Sequence, residues 1–239
     1  MSETKQRTAV ILAGGKGTRL YPYTAVFPKP LMPIGDFPIL EIVIRQLSSA
    51  GFGRIILAVN HQAEIIKAYF ENGERWGVSI EYSLEKIPLS TMGPLKLIDN
   101  LPDDFLVMNG DIVTDLDYRM FYENHVSTGN LFTISSYRRE IRSEYGVLEI
   151  NGDKLVGFNE KPILSFDVSM GIYMVNNRIL DLIPAGQTYG FDNLMHDLIK
   201  QNTPASIVPF SGYWLDIGRP EDYVQAVEEF DSMKERLLR

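Results

Sequence analysis

A short apolar run that ends in a cluster of glycines constrains this chain more than any other feature of its sequence. Thr8 to Ala13 has the length of a strand buried on both faces and is too short for a typical helix. Gly14, Gly15 and Gly17 follow, and glycines let backbone N–H groups come close to a ligand. Arg19 adds a forked cation that suits phosphate. The stretch predicts a strand leading into a loop that binds the phosphates of a nucleotide.

Two familiar glycine motifs do not fit this loop. The P-loop pattern G-x-x-x-x-G-K-[ST] is absent because Lys16 precedes Gly17, and the dinucleotide pattern G-x-G-x-x-G fails at Leu20. A purely structural turn explains one or two glycines, but it does not explain Arg19 or the Pro28-Lys29-Pro30 that follows. Flanking prolines stiffen the backbone around Lys29, which favours a phosphate-binding role for that lysine.

The first half of the chain alternates apolar strands with helices. The predicted strands span 8–13, 54–59, 79–82 and 105–108, and the predicted helices span 38–50, 62–70 and a segment that ends at Asn100. Near-continuous apolar strands that alternate with helices are typical of a doubly wound parallel sheet. Ligands of such sheets bind beyond the carboxyl ends of the strands.

The second half changes to a mixed sheet. Predicted strands at 131–137, 168–175 and 207–210 accompany a hairpin, 146–150 with 154–159, that turns at Asn151-Gly152. Helices are predicted at 177–183, 191–201 and 221–237. The predicted fold class is therefore α/β, a Rossmann-like doubly wound mixed sheet with a small β lobe.

Two aspartates are candidates for a metal site. Asp111 follows a predicted strand through Asn109-Gly110, which puts it on the same sheet edge as Gly14 to Arg19. Asp216 lies in the later segment Gly212 to Gly218. Neither has a histidine or cysteine companion, so Mg²⁺ is favoured over zinc. The histidines at positions 61, 125 and 196 are scattered and are interpreted as structural or surface residues.

The composition excludes several classes of partner and chemistry. A net charge of −8 argues against a nucleic-acid-binding or anionic-membrane-binding surface. The chain has no cysteine, so disulfides and thiolate chemistry are excluded. Its polar start lacks the pattern of a signal peptide, and no apolar run has the ~18 residues of a membrane span. These features predict a cytoplasmic protein.

Seven short motifs give the chain a family resemblance. It resembles the sugar-1-phosphate nucleotidyltransferases at Gly14–Leu20, Pro28–Pro30, Asn109–Asp111, Tyr145–Val147, Glu160–Pro162, Gly171–Tyr173 and Trp214–Gly218. The spacing of the loop around Pro88 resembles their mannose- and heptose-1-phosphate guanylyltransferase branch more than the thymidylyl branch. The resemblance covers nearly the whole chain. It implies a GT-A-like nucleotidyltransferase fold in one domain, 1–239, with a nucleotide half at about 1–130, a sugar-phosphate half at about 131–220 and a terminal helix at about 220–237.

The resemblance also implies roles for individual residues. Arg19 and Lys29 would hold the triphosphate, Asp111 and Asp216 would hold Mg²⁺, and Lys161 would hold the sugar phosphate; the catalytic set is Arg19, Lys29, Asp111 and Lys161. The remaining nucleotide-binding candidates are Leu12, Ala13, Gly14, Gly15, Gly17, Thr18, Glu85, Pro88, Thr91, Asn109 and Gly110. The remaining sugar-phosphate candidates are Tyr145, Gly146, Glu160, Ser169 and Gly171.

One loop departs from the family pattern and bears on the choice of base. The family usually has P-L-G-T, whereas this chain has Pro88-Leu89-Ser90-Thr91, so the geometry of the loop is an open point. The preceding Glu85 suits guanine, because a carboxylate accepts from N1–H and the N2 amino group together. Uracil and thymine suit a glutamine better, while the amino group of cytosine keeps CTP open. GTP is favoured.

The expected reaction is a direct displacement, since the sequence offers no evident pair of nucleophile and base. The sugar phosphate would attack the α-phosphorus of a nucleoside triphosphate and release pyrophosphate, with charge and positioning supplied by the protein. Cytidylyl or thymidylyl transfer, and a non-catalytic regulatory subunit, remain alternatives. A glycosyltransferase would use a D-x-D metal motif; Asp115-Leu116-Asp117 has that spacing but is interpreted as caps or loop residues. Homo-oligomers are possible.

Overall fold

The computed structural model describes residues 7–60 and 62–238, which fold around a seven-stranded sheet. The strands are β1 (Arg7–Leu12), β2 (Pro33–Ile34), β3 (Phe37–Pro38), β4 (Phe52–Val59), β5 (Ser79–Leu84), β6 (Asp104–Asn109), β7 (Ile112–Thr114), β8 (Phe132–Arg142), β9 (Val147–Asn151), β10 (Lys154–Asn159), β11 (Ile163–Asn176), β12 (Ser206–Phe210) and β13 (Trp214–Asp216). The α-helices are α1 (Ile39–Ser49), α2 (Ala63–Phe70), α3 (Tyr118–Thr128), α4 (Phe191–Lys200) and α5 (Pro220–Leu237).

The main sheet has the order β12-β8-β11-β6-β1-β4-β5. β6, β1, β4 and β5 run parallel to one another, and β12 is parallel to β8. β11 is antiparallel to both β6 and β8. This confirms the predicted doubly wound mixed sheet and brings the carboxyl ends of β1, β4 and β6 to one edge.

Successive side chains of the central strands are buried on opposite faces of the sheet, in two separate cores. Ile11 on β1 and Leu57 on β4 pack in one core with the helices α1 and α2. Val10 and Ile56 point to the opposite face, where they share the second core with α4. Because both faces are covered, these strands are apolar at successive positions and lack a polar alternation. A third core forms where Phe230 of α5 packs with Leu20 and other apolar side chains around β2.

Some predicted helices are shorter or tighter than expected. The segment expected to be helical up to Asn100 forms a 3-10 turn at Gly93–Leu97, because Gly93 and Pro94 are poor residues for an α-helix. The segment 177–183 is also a 3-10 segment, Asn177–Leu182. The helix α3 was not predicted. It buries only Tyr118, Phe121 and His125, and this short stripe gives a weak helical pattern.

β8 and β11 run beyond the predicted strands into an exposed arm. Past the main sheet, 138–142 pairs with 163–167 in a two-stranded ribbon. The ribbon continues into the hairpin 143–162, whose base is closed by a hydrogen bond from Ser143 N to Pro162 O at 3.0 Å. The predicted turn is confirmed, with Gly152 at a φ of 63°. We call residues 138–167 the arm, and none of them is buried.

Within the described ranges, no helix has both the length and the apolar character needed to cross a bilayer. The longest one, α5, carries charged residues along its whole length, from Glu221 to Arg236.

Candidate active site

A cleft of about 410 Å³ opens at the carboxyl ends of β1, β4 and β6. Three segments that follow these strands form its floor, and two loops from elsewhere in the chain form its walls. The lining residues are Leu12, Ala13, Gly14, Gly15, Lys16, Lys29, Pro30, Asn60, Glu85, Pro88, Ser90, Thr91, Asn109, Gly110 and Asp111. Eleven of the fifteen belong to the sequence-predicted site, so the structure brings most of its nucleotide side together.

The glycine loop keeps its shape because Gly17 has no side chain. Gly17 has a φ of 60°, and a Cβ there would lie 2.8 Å from the Thr24 side chain. Thr24 Oγ1 donates a hydrogen bond to Gly17 O at 2.8 Å, which fixes the loop from outside. Gly15 has open space around it, so a ligand can approach its backbone. Thr18 is exposed beside the loop and does not line the cleft.

A buried ion pair joins Lys29 to Asp111 in this cleft. Lys29 lies in a 3-10 turn, Lys29–Leu31, and its residue is 8% exposed. Its Nζ contacts Asp111 Oδ2 just after the end of β6. The sequence predicts a triphosphate as the ligand of Lys29 and Mg²⁺ as the ligand of Asp111, and the structure in addition pairs the two side chains with each other. The ammonium therefore offsets the cost of holding a carboxylate in a partly desolvated cleft.

Asp216 lies close to this pair because β13 is antiparallel to β7, which begins directly after Asp111. Desolvation by the surrounding protein and the negative charge of Asp111 raise the pKa of Asp216, while Lys29 and Arg19 act in the opposite direction. Asp216 as a residue is nevertheless exposed to solvent. Two carboxylates thus repel each other across a site with room for a cation.

The residues present fit a magnesium ion. Asp111 Oδ1 is buried and has no hydrogen-bond partner, which leaves one oxygen available for a metal. The described residues contain no group of three histidine, cysteine, aspartate or glutamate side chains placed to share a metal. Mg²⁺ needs no such group, because it takes one or two carboxylates and completes its shell with water and substrate phosphates.

Arg19 leaves its guanidinium open to a ligand. The residue is exposed, and within the described part of the chain it makes no hydrogen bond or ion pair. A Cβ at Gly218 would lie 3.6 Å from both terminal nitrogens of Arg19, so the guanidinium lies beside the segment that follows Asp216. The cation is therefore close enough to Asp216 to lower its pKa, and within the described residues it forms no ion pair with that carboxylate.

Glu85 is buried at the opposite end of the cleft. Its Oε2 accepts a hydrogen bond from Leu89 N at 3.1 Å, and a Cβ at Gly14 would lie 3.0 Å from its Oε1. Burial raises the pKa of Glu85, and the Leu89 hydrogen bond partly opposes this shift. Asn60 lies beside it, with its Cβ 3.2 Å from the Cβ position of Gly14. A buried carboxylate and a side-chain amide thus share one wall.

The loop that carries the unusual serine is tied to a second loop. Ser90 has a φ of 66°, a conformation that favours glycine and explains the family's preference for P-L-G-T. Tyr189 N donates to Leu89 O at 3.0 Å, and Thr188 Oγ1 donates to Pro88 O at 3.1 Å. Thr91 Oγ1 accepts from Phe191 N at 2.7 Å, at the start of α4. Thr91 therefore caps a helix as well as lining the cleft.

The predicted sugar-phosphate residues fall into two groups. Ser169 and Gly171 lie in β11, where a Cβ at Gly171 would lie 2.6 Å from Asn109 Nδ2, so this pair adjoins the cleft. Tyr145, Gly146, Glu160 and Lys161 lie in the hairpin of the arm and do not line the cleft. Glu160 does approach Gly146, since a Cβ there would lie 3.0 Å from Glu160 Oε2. Lys161 has a φ of 45°.

The D-x-D aspartates are already used by the protein. Asp115 Oδ1 accepts from Tyr213 N at 2.7 Å, and its other oxygen contacts Arg236. Asp117 caps α3 by accepting from Met120 N at 2.9 Å. Their interpretation as caps or loop residues is therefore confirmed, and this disfavours a glycosyltransferase metal site.

The histidines stand apart from the cleft lining. His125 is buried, with its Nδ1 2.7 Å from Thr133 Oγ1, and has a structural position. His196 is exposed on α4. His61 lies outside the described residues.

Sequence reasoning missed Lys16, Pro30, Asn60 and Ser90 as lining residues. Lys16 and Pro30 are neighbours of predicted site residues. Asn60 had an available signal, because it follows β4 at the same sheet edge on which Asp111 was identified. Ser90 was noticed only as a departure from a family pattern.

Comparisons with known proteins agree with this architecture. The nucleotidyl transferase family model matches residues 8–232. UTP–glucose-1-phosphate uridylyltransferase of Synechocystis sp. is 37% identical over 241 residues, covering 92% of this chain and 62% of the relative. Mannose-1-phosphate guanyltransferase of Candida albicans is 35% identical over 225 residues, covering 90% of this chain and 62% of the relative. This chain thus spans a little over three-fifths of the length of these curated relatives.

A solved structure resembles the chain over nearly its full length. HddC from Yersinia pseudotuberculosis has a TM-score of 0.74 and 29% sequence identity, covering 94% of this chain and 99% of that chain. The same protein has been solved in complex with GMP-PN, with a TM-score of 0.72. The family model matches almost the whole sequence, and the main sheet carries the glycine loop and Asp111 on one edge. The chain therefore belongs to the nucleotidyl transferase family.

Proposed function

We propose that this protein is a sugar-1-phosphate nucleotidyltransferase that converts a nucleoside triphosphate and a sugar 1-phosphate to a nucleotide sugar and pyrophosphate. The observation that carries the proposal is the cleft in which the glycine loop meets the Lys29–Asp111 pair, with Asp216 close to that pair. Its relatives and the family model support the same reaction class.

In the proposed reaction, an oxygen of the sugar phosphate attacks the α-phosphorus of the triphosphate. A new bond forms between the attacking oxygen and the α-phosphorus. The bond between the α-phosphorus and the oxygen that bridges it to the β-phosphorus breaks, and pyrophosphate leaves with the electron pair of the broken bond. The attacking phosphate is already ionised at neutral pH, so no general base is needed. Arg19 and Lys29 would hold the triphosphate, and Lys161 would orient the sugar phosphate, so that the protein contributes position and charge.

Asp111 and Asp216 would hold Mg²⁺. When bound, the ion would supply charge neutralisation for the α- and β-phosphate oxygens. Lys29 Nζ contacts Asp111 Oδ2, so the ammonium would lie beside both the carboxylate that holds the ion and the triphosphate. The support for the site is the unpartnered Asp111 Oδ1.

The reaction is tested by measuring pyrophosphate release with Mg²⁺, crossing ATP, GTP, CTP, UTP and dTTP against hexose and heptose 1-phosphates. We expect release with a single favoured pair of substrates and a release that is slower by about 10² in Arg19→Ala. Nucleotide binding without release on the whole panel would instead favour a non-catalytic regulatory subunit.

For the base we favour GTP. The hydrogen bond from Leu89 uses Glu85 Oε2, so Glu85 Oε1 would accept hydrogen bonds from N1–H and the N2 amino group of guanine. The side-chain amide of Asn60, which lies beside Glu85, would donate a hydrogen bond to guanine O6. Guanyltransferase names among the relatives, and the GMP-PN complex of HddC, support this choice, while the uridylyltransferase relative argues for UTP.

The Glu85→Gln variant tests that choice. It keeps the size of the side chain and the hydrogen bond to the loop, but it exchanges one acceptor oxygen for a donor. We expect kcat/KM for GTP to fall by about 10² relative to UTP, within the range that one buried polar contact contributes to specificity. An unchanged ratio of GTP to UTP use would contradict the role of Glu85 without touching the reaction class.

The remaining assignments follow the same proposal. We propose a mannose- or heptose-type sugar 1-phosphate, with a nucleotide half at about 1–130 and a sugar-phosphate half at about 131–220 in a single working domain. A cytoplasmic location suits a reaction that consumes nucleoside triphosphates. The nucleotide sugar that this reaction forms would be used in polysaccharide synthesis.

A further inference from the structure

Tyr189 connects the proposed base-binding loop to the body of the protein. Its carbonyl oxygen accepts hydrogen bonds from Met92 N at 3.0 Å and from Gly93 N at 2.9 Å, and its N–H donates to Leu89 O at 3.0 Å. The backbone of this one residue therefore holds the loop at three points. Tyr189 is itself buried, and its side chain packs in the second core, which the main sheet shares with α4.

The side chain of Tyr189 is anchored separately, on α4. Its hydroxyl donates a hydrogen bond to Asp197 Oδ2 at 2.6 Å, which is the length of a charge-assisted bond between a hydroxyl and a carboxylate. Burial, and then the bond to Asp197, raise the pKa of Tyr189, so the hydroxyl keeps the proton that it donates. The helix is a firm support, because Leu194 and Leu198 of α4 are buried in the second core.

The loop needs this support because its backbone is strained at Ser90. A φ of 66° lies in the left-handed region, which a residue with a Cβ keeps only when surrounding contacts hold it there. Leu89, the residue before it, is bonded at both of its backbone polar groups. Leu89 N donates to Glu85 Oε2 at 3.1 Å, and Leu89 O accepts from Tyr189 N. The backbone next to the strained position is therefore fixed from two sides.

These hydrogen bonds form a continuous chain from α4 to the cleft. Asp197 accepts from the Tyr189 hydroxyl, and Tyr189 N donates to Leu89 O. Leu89 N in turn donates to Glu85 Oε2. This last bond determines the direction of Glu85 Oε1, the oxygen proposed to accept from guanine. A displaced Leu89 would turn the carboxylate, and hydrogen bonds weaken steeply when their angles change.

We infer that Tyr189 is a positioning residue for base recognition: its hydroxyl, held by Asp197, keeps Leu89 where it orients the Glu85 carboxylate. The inference rests on the proposed function, in which Glu85 reads guanine. Tyr189 does not belong to the cleft lining, so it acts on the base through the loop. Residues that lock a site residue in this way keep its geometry within about 0.5 Å. Loss of the hydroxyl should therefore weaken GTP binding more than UTP binding.

The first test is the affinity of the chain for GTP and for UTP, each measured by isothermal titration calorimetry with Mg²⁺ and without sugar phosphate. We expect the wild type to bind GTP more tightly, and Tyr189→Phe to reduce this preference about 10-fold, the effect of one hydrogen bond to a charged group. An unchanged preference in Tyr189→Phe, or a wild type without one, would overturn the inference. Failure of the proposed reaction would be seen separately, as nucleotide binding without pyrophosphate release.

Two controls separate positioning from a general loss of stability. Tyr69→Phe removes a bond of the same kind, from the Tyr69 hydroxyl to Glu41 Oε2 at 2.7 Å, and should leave the preference for GTP at the wild-type value. Asp197→Asn keeps an acceptor oxygen for Tyr189 and should retain most of the preference, whereas Asp197→Ala should match Tyr189→Phe. An equal loss of preference in Tyr69→Phe would overturn the inference.

A double-mutant cycle tests whether Tyr189 acts through the Glu85 carboxylate. Glu85→Gln alone should reduce the preference for GTP by about 10². Because the hydroxyl acts through that carboxylate, adding Tyr189→Phe should change the preference no further, and the double variant should match Glu85→Gln within about twofold. Independent effects would multiply to about 10³ and would overturn the route through Glu85.

Discussion

The cleft and the arm carry the two halves of the proposed site, and they differ in how firmly the protein holds their residues. In the cleft, Lys29 is buried against Asp111 and Thr91 is hydrogen bonded to the start of α4. In the arm, Glu160 and Lys161 are exposed on a hairpin that has no buried residue. The nucleotide side of the proposed site is therefore held by buried contacts, whereas the sugar-phosphate residues of the hairpin are held by strand pairing alone.

The largest expected effect comes from Lys29. Lys29→Met removes a triphosphate cation and leaves Asp111 without its partner, so kcat/KM should fall by about 10³ and the free energy of unfolding by about 2 kcal/mol. Arg19→Ala removes an exposed cation, so it should reduce kcat/KM by about 10² without changing Tm. Kinetics and thermal unfolding on both variants check this. Equal Tm values would show that the Lys29–Asp111 pair does not stabilise the cleft.

A smaller effect is expected in the arm. Lys161→Ala should raise KM for the sugar 1-phosphate by about 10-fold, while KM for the nucleotide and the Tm stay unchanged, because the side chain is exposed. Lys154→Ala on the same hairpin is the matched control and should leave both KM values at the wild-type level. A rise in the nucleotide KM would contradict the assignment of the nucleotide to the cleft and of the sugar phosphate to the arm.

The free energy of unfolding should depend on pH through His125, a buried residue of the main body. Burial lowers the pKa of this histidine below its usual 6.5, although the nearby Asp104 carboxylate acts against the shift. The unfolded chain therefore binds the proton first as pH falls, so stability is full above pH 6.5 and declines below it. Thermal unfolding across pH 8 to 5 should show a smaller decline in His125→Gln than in the wild type. Equal slopes would rule out His125 as the titrating group.

The smallest effect is expected at Ser90. Ser90→Gly relieves the left-handed backbone at this position and should stabilise the fold by about 0.5 kcal/mol, after the greater freedom of glycine in the unfolded chain is subtracted. For a chain of this size that corresponds to a rise in Tm of about 1–2 °C. Ser165→Gly in the extended ribbon is the control and should not raise Tm. A lower Tm for Ser90→Gly would mean that the serine side chain contributes a contact that outweighs the strain.

The sequence predicted the position of a site residue best when that residue directly follows a predicted strand. Gly14 and Asp111 each follow a buried parallel strand, and the parallel arrangement alone puts both at one edge. The Lys29–Asp111 contact joins residues 82 positions apart, and no local pattern specifies which cation meets which carboxylate. Thr91 illustrates the same limit, since its role as a cap depends on α4, which begins one hundred residues later.

The arm was the part of the fold that the sequence described least completely. The turn at Asn151-Gly152 was predicted from its dipeptide, because local backbone preference determines such turns. The extension of β8 and β11 beyond the sheet was not predicted. Arg138-Arg139-Glu140 and Ile163-Leu164 lack the strict alternation of apolar and polar residues that indicates a half-buried strand.

The hydrogen bonds between the Pro88–Gly93 loop and the Thr188–Phe191 loop have a consequence for engineering. In a graft that replaces only residues 85–93 with those of a relative, the backbone bonds to Tyr189 require the loop to keep its path, and the bond from Phe191 N requires a hydroxyl at position 91. The two loops therefore form one transferable module, although almost a hundred residues of sequence separate them. Natural variation in base preference within this fold is expected to involve coordinated changes in both.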